Sequence, residues 1–195
     1  MRYHYLVTAS RYPLNEGPAA LNLANTVPSA RPGRDLLSNR VQLRDWLAAQ
    51  TGHLPVDLLA DHQEVDLDEL RALRTLLRRL LGSGADGQDL HGDDVQALND
   101  QAARACGQRR LEAGQDGGWH AVTRLQGATI TDRIVAAIAD TAVNLLGSPP
   151  ALERLRRCAN PGCQLLFLAR RPHRTWCDSR TCGNRMRVAR HHARN

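Results

Sequence analysis

The chain has no lysine; all 26 of its Lys/Arg residues are arginine. That excludes a phosphate loop built on a lysine, a lysine Schiff base and a lysine general base, because each needs an amine that a guanidinium does not replace. Aromatic residues are also scarce, with one Phe, three Trp and three Tyr among 195 residues. The core must therefore be built mostly of Leu, Ala, Val and Ile, and stacking platforms for unpaired RNA bases are few. Long hydrophobic runs are missing: the best apolar stretch, 128–146, is broken by Asp132, Arg133, Asp140 and Asn144, too polar for a membrane span. The first residues, MRYHYLVTAS, lack the apolar segment of a signal peptide, so the expected location is the cytoplasm. No nucleophile–base constellation stands out, and the chain is expected not to be an enzyme.

What is present is unevenly placed. Residues 151–195 hold eleven arginines against Glu153 and Asp178, a net charge of +9, whereas residues 1–150 carry a net of −3. A G+C-rich nucleotide composition accounts for arginine in place of lysine but not for this clustering. A basic appendage on a mildly acidic body is the footprint of a nucleic-acid-binding module.

Hydrophobic spacing gives a mostly helical body. Residues 1–12 are a polar-aromatic start compatible with a strand. A first helix contains Leu21 to Thr26 and stops at Pro28, and an arginine–proline loop covers 29–34. A second helix carries Val41, Leu43, Trp46 and Leu47. The clearest helix runs from Leu67 to Leu81, with Asp66 as N-cap, Glu69 completing a capping box, and Gly82 as its stop. Its Leu70, Leu73, Leu77 and Leu80 form an apolar face, and the neighbouring Arg71, Arg74 and Arg78 are expected to be a solvated stripe. Ser83–Gly92 reads as a flexible glycine loop, followed by a helix over Asp94–Ala105. Arg109–Glu112 and His120–Leu125 read as a hairpin around glycines. A long helix over Thr129–Leu146 buries Ile130, Ile134, Ile138, Thr141 and Leu145. Gly147-Ser148-Pro149-Pro150 precedes the charge switch and marks the expected division between domains 1–150 and 151–195. On the body, Asn22, Asn25, Thr26 and Arg124 are candidates to line a pocket for a small-molecule ligand, the alternative being helix capping and buried hydrogen bonding.

The second domain is organised by four cysteines, Cys158, Cys163, Cys177 and Cys182, spaced C-x4-C-x13-C-x4-C. Paired spacing in a cytoplasmic chain favours one tetrahedral zinc ion over two disulfides or an iron–sulfur cluster. Four thiolates leave no open coordination position, so the expected zinc is structural. Cys158–Cys163 forms a knuckle. Leu165–Leu168 and Thr175–Trp176 are expected to pair as a hairpin around the basic turn Arg170-Arg171-Pro172-His173-Arg174. The last cysteine opens a helix, the treble-clef-like plan. Along that helix Arg187, Arg190 and Arg194 share a face. With Arg170, Arg171 and Arg174 they form two candidate arms for DNA. The expected fold class is thus α+β: a mostly helical N-terminal domain with a small β-hairpin, plus a C-terminal treble-clef-like zinc finger.

Cys182-Gly183-Asn184-Arg185 spells the signature of the CGNR zinc finger, and Arg157-Cys158, Leu166-Phe167 and Trp176-Cys177 resemble that family around it. The N-terminus, Gly17-Pro18-Ala19-Ala20-Leu21-Asn22-Leu23-Ala24-Asn25-Thr26 with Leu43-Arg44-Asp45-Trp46-Leu47, is similar to the ABATE domain, which precedes such fingers in stress-induced transcription regulators. The resemblance implies a zinc-dependent DNA-binding regulator whose body senses a ligand or forms a homodimer. Within the signature, Gly183 is read as letting the backbone turn close to the metal thiolate, Asn184 as a helix cap, and Arg185 as balancing thiolate charge or meeting phosphate. A module docking an acidic protein partner is the alternative use of the same arginines.

Overall fold

A computed structural model of the protein describes residues 17–28, 35–55, 58–59, 64–114, 117–127 and 129–192. The expected N-terminal strand, the loop at 29–34 and Arg194 lie outside them. Helix α1 is Ala19–Ala24, alanines and leucines around Asn22, buried on every side. Helix α2, Arg40–Ala48, is capped by the Asn39 side chain, which accepts from the Gln42 N–H at 3.0 Å. It buries Leu43, Trp46 and Leu47. Helix α3 is Leu67–Ala85 and helix α4 is Gly92–Ala102. Strands β1, Ala105–Ala113, and β2, Trp119–Gly127, pair antiparallel in one register from Ala105↔Gly127 to Ala113↔Trp119. Helix α5, Ile130–Leu146, has a complete Thr129/Asp132 capping box. Its Ile130, Ile134, Ile138 and Leu145 join Leu23, Trp46 and Leu77 in one core. No helix among the described residues is long and apolar enough to cross a membrane.

Helix α3 departs from its sequence reading in three ways, each for a tertiary reason. Asp66 caps it by accepting from the Asp68 and Glu69 N–H groups. The box is not closed by Glu69, because the Asp66 N–H donates to Thr131 Oγ1 on α5 at 2.9 Å and Glu69 pairs with Arg104. The helix runs past Gly82 to Ala85. Gly82 serves close approach instead of termination: a Cβ there would lie 2.9 Å from the Arg157 guanidinium. The expected glycine loop is correspondingly shorter, and Gly87, at φ +67°, makes the turn. Finally, the Arg71–Arg74–Arg78 stripe is not a solvated face. Arg71 Nε donates to Leu37 O at 2.9 Å. Arg74 is buried and bonds Asp35 at 2.6 and 2.8 Å and Thr26 Oγ1 at 3.1 Å. Burial raises the Asp35 carboxyl, but Arg74 and the Leu37 N–H together hold it below the usual carboxylate range.

After α5 comes a short helix α6, Pro149–Leu152. Strand β3, Leu155–Arg157, then pairs antiparallel with β4, Leu166–Leu168. The expected partner of Leu165–Leu168 was Thr175–Trp176; the strand turns back to Leu155–Arg157 instead, and the cysteine knuckle is the turn between them. Leu155-Arg156-Arg157 shows no apolar alternation, so its strand was invisible in the sequence. What holds it is that Leu155 and Leu166 enter the helical core. Thr175 keeps one backbone bond, accepting from Ala159 N–H at 2.9 Å.

The charge boundary near residue 150 is therefore crossed by packing. Asn25 reads β4 like a neighbouring strand: its Nδ2 donates to Leu166 O at 2.8 Å and its Oδ1 accepts from Leu166 N–H at 2.9 Å. Arg78 Nη1 donates to Ala24 O and Val27 O, and its Nη2 donates to Gln164 Oε1 at 2.8 Å. Gln164 N–H donates to Pro28 O, and Arg157 pairs with Asp86 at 2.7 Å.

Candidate metal centre and basic module

The knuckle is shaped by its own backbone. Asn160 is buried, and its Oδ1 accepts from Gly162 N–H at 3.1 Å while its carbonyl accepts from Cys163 N–H at 2.8 Å. Cys158 N–H donates to Leu165 O, closing the turn at the end of the β3–β4 ladder. Of the second cysteine pair, Cys177 precedes and Cys182 lies within a π-helical turn, Ser179–Gly183, which runs directly into helix α7, Asn184–His192. Its cap is Asp178, whose Oδ1 accepts from Thr181 N–H at 2.7 Å and from Thr181 Oγ1 at 2.9 Å. These bonds hold the Asp178 carboxyl below its ordinary range. Asn184, expected as the cap, already has helical φ and ψ and is exposed. Gly183 has no positive φ; it leaves room for Trp176, since a Cβ there would sit 3.2 Å from the indole Cδ1.

These elements bring one sulfur from each of Cys158, Cys163, Cys177 and Cys182 to within 4.8 Å of one another. Cys163 and Cys177 Sγ are 3.8 Å apart, and Cys177 and Cys182 Sγ 3.6 Å. A tetrahedron with Zn–S bonds of about 2.3 Å has edges of about 3.8 Å, so the donor set fits one zinc ion and is too wide for disulfides. Cys177 N–H points at Cys158 Sγ from 3.5 Å, a donor suited to a thiolate. Cys163 and Cys177 as hydrogen-bond partners draw the Cys158 thiol down to about 2, while the bond to Cys158 pushes Cys163 up to about 12 and Cys177 also moves upward. Four thiolates at this spacing repel, and a dication is what allows all four to ionise together. The site is closed by protein sulfur, hence structural: zinc bound there supplies folding energy and a fixed scaffold. Phe167, Ala169 and Trp176 pack around it as a small second core.

The structure separates the candidate arginines. Arg170, Arg171, Arg185, Arg187 and Arg190 are exposed. Arg174 is not at a tip: it lies over the Phe167 ring at 4.9 Å and bonds the Trp176 and Cys177 carbonyls, bracing the third zinc ligand. Arg187 Nη2 reaches Ser179 O at 3.3 Å. Exposed Arg180, on the π-helical turn beside Cys182, was overlooked because no periodicity marks it.

The four body candidates are not brought together. Asn22 donates to Gly17 O and Gln50 Oε1. Asn25 is committed to Leu166, and Thr26 Oγ1 donates to Leu23 O while accepting from Arg74. Arg124 is on β2, paired with Glu112 at 2.5 Å. The three α1-proximal residues perform the buried hydrogen bonding that was their alternative reading.

Residues 17–149 match the family model for ABATE, described as "Putative stress-induced transcription regulator", and residues 154–195 match that of the CGNR zinc finger. No curated protein matches the chain. With the first model spanning most of the chain and the second its cysteine module, the protein belongs to the ABATE family and carries a CGNR zinc finger.

Proposed function

We propose that the protein is a zinc-dependent, DNA-binding transcriptional regulator of the cytoplasm, in which residues 151–195 contact DNA and residues 1–150 sense a ligand and dimerise, without turnover of substrate. The observation that carries this reading is a net charge of +9 on a module pinned by one metal site, with Arg170, Arg171, Arg180, Arg185, Arg187 and Arg190 exposed. Phosphate contact by arginine releases counterions, at a slope in log affinity against log salt of about −0.9 per contact on duplex DNA. With about five contacts the zinc-loaded protein should bind duplexes with a slope of about −4.5. Paired substitution Arg187→Gln/Arg190→Gln should reduce that slope by about two. Fluorescence anisotropy over a salt series reads both. A salt-insensitive affinity, or no duplex binding in a random-sequence selection, would eliminate DNA as the partner and leave the acidic-protein alternative.

The β1–β2 ribbon supports dimerisation with a second copy. One face is a self-satisfied polar ladder, with Gln126 bonded to Gln108 and Arg124 to Glu112. The other carries Leu111, Ala113, Trp119 and Ala121 beside exposed Arg109 and Thr123, with Leu111 66% and Trp119 69% exposed. An isolated two-stranded ribbon with an open apolar face is marginal in water. Two such faces meeting would bury on the order of 1,000 Å² in total, at the lower limit for a specific interface. Sedimentation should show a dimer that Trp119→Ser weakens about 30-fold; a monomer at every concentration would remove this part of the proposal.

A further inference from the structure

We propose that the cleft between α3 and the end of α1 binds the oxyanion group of a small molecule and reports its occupancy to the zinc knuckle through Arg78. This gives the sensing role proposed for the body a site, and it does not depend on whether the finger meets DNA. The cleft is about 360 Å³, lined by Val27, Arg74, Thr75, Arg78 and Arg79. It is an open surface groove, suited to holding one anionic group and not to enclosing a whole molecule. The four α3 residues face it because positions 74, 75, 78 and 79 lie on one side of a helix.

Its three guanidiniums are not equivalent. Arg74 is matched by Asp35 and Arg79 by Asp94, each at 2.6 Å. Arg78 has no carboxylate among the described residues. Its Nη1 hydrogens go to Ala24 O and Val27 O, and one Nη2 hydrogen goes to Gln164 Oε1. Among the described residues Nε–H and one Nη2 hydrogen have no acceptor, and the Nε/Nη2 edge is the one with which arginine grips a carboxylate or phosphate. The group is half-buried, and burial, then Arg74 and Arg157, disfavour its charge. An oxyanion alongside it would offset that cost, with Val27 as an apolar wall for the rest of the molecule.

The coupling follows from a shared nitrogen. Nη2, which would grip the anion, also holds Gln164, the residue after the zinc ligand Cys163. An anion that draws Arg78 toward the cleft weakens the hold on Gln164 and loosens the knuckle. The body and the finger are thus linked by one side chain that would hold both partners, each on its own Nη2 hydrogen, so that a pull by the anion is felt at Gln164.

The test uses full-length, zinc-loaded protein titrated with inorganic phosphate, against sodium chloride at matched ionic strength. Binding is followed by the Nε–H resonances of the arginines, and zinc loss to a chelator is timed in parallel. Saturable phosphate binding that shifts the Arg78 resonance is expected, with chloride inert. Arg78→Lys, which keeps charge but loses the fork, and Arg79→Gln, which removes a positive charge from the cleft at an exposed side chain paired with Asp94, should each bind phosphate about tenfold more weakly. Phosphate should speed zinc loss severalfold in the unmodified chain and leave it unchanged in Gln164→Ala, which retains the cleft. Equal effects of chloride and phosphate, or full affinity in Arg79→Gln, would overturn the site. Binding with no change in zinc loss would overturn the coupling. A duplex-binding salt slope lowered by Arg79→Gln, with no phosphate response, would assign the cleft to the DNA track and overturn a small-molecule ligand.

Discussion

Stripping the zinc should unfold the cysteine module and lower the melting temperature of the helical body as well, by about 10 °C. The first effect is the larger in free energy. Structural zinc contributes on the order of 10 kcal/mol or more in small zinc-binding peptides, and the apolar cluster around the sulfurs, Phe167, Ala169 and Trp176, is too small to replace it. The second effect follows from where the knuckle sits. It is the turn of the β3–β4 hairpin, and that hairpin gives Leu155 and Leu166 to the body core and Leu166 to Asn25. Losing two buried leucines, at about 1.5–3 kcal/mol each, removes about 4 kcal/mol from the body. For a domain of about 150 residues that is about 10 °C. Calorimetry with and without chelator measures the shift, and zinc added back should restore it. Trp176 reports the finger and fully buried Trp46 reports the body core. Protons compete with zinc for the sulfurs, so zinc retention should also fall as pH falls. A body transition that does not move on chelation would show that the two parts fold independently.

The parts of the fold that were legible are those whose cause is local. Asp66 before Leu67 and Thr129 before Ile130 cap helices through side chains a few residues away, and the isoleucine spacing of α5 announces its buried face. The glycine-centred ribbon was legible for the same reason, though its strands extend further than the apolar residues that marked them. The cysteine spacing specified the metal site because the chemistry of four sulfurs needs little else from the fold. Illegible were the features set by distant partners. Gly82 looks like a helix stop until Arg157 is placed beside it. Arg74 and Arg78 look like solvent-facing charges until Asp35, Thr26 and Gln164 arrive from 39, 48 and 86 residues away. β3 has only Leu155 to recommend it, and its pairing depends on a core built by other helices. Asn25 was a pocket candidate at the end of α1, but nothing local says whether its amide meets a ligand or a strand.

Replacing Asn25 by Ala should destabilise the protein by about 3 kcal/mol, well beyond the loss of a single hydrogen bond. The amide satisfies both polar groups of Leu166, and both residues are buried. Truncation leaves an N–H and a C=O without partners where water does not reach, and each such group costs about 1–3 kcal/mol. The Asn25→Asp substitution separates this account from simple packing. A carboxylate still accepts from Leu166 N–H but sets a charged oxygen against Leu166 O, so the ionised form should be at least as destabilised as Asn25→Ala. Once protonated, the carboxyl donates to Leu166 O and restores both bonds. The folded state therefore favours the protonated form and raises that carboxyl's pKa above its unfolded value of about 3.9. The penalty is full above the folded pKa and disappears as pH falls through it toward the unfolded value. Urea unfolding of each variant against unmodified protein at the same pH gives the difference. Asn25→Asp should approach the unmodified stability on acidification, while Asn25→Ala stays displaced. Parallel behaviour of the two substitutions across pH would mean that Leu166 is held by packing and that its two bonds to Asn25 contribute little.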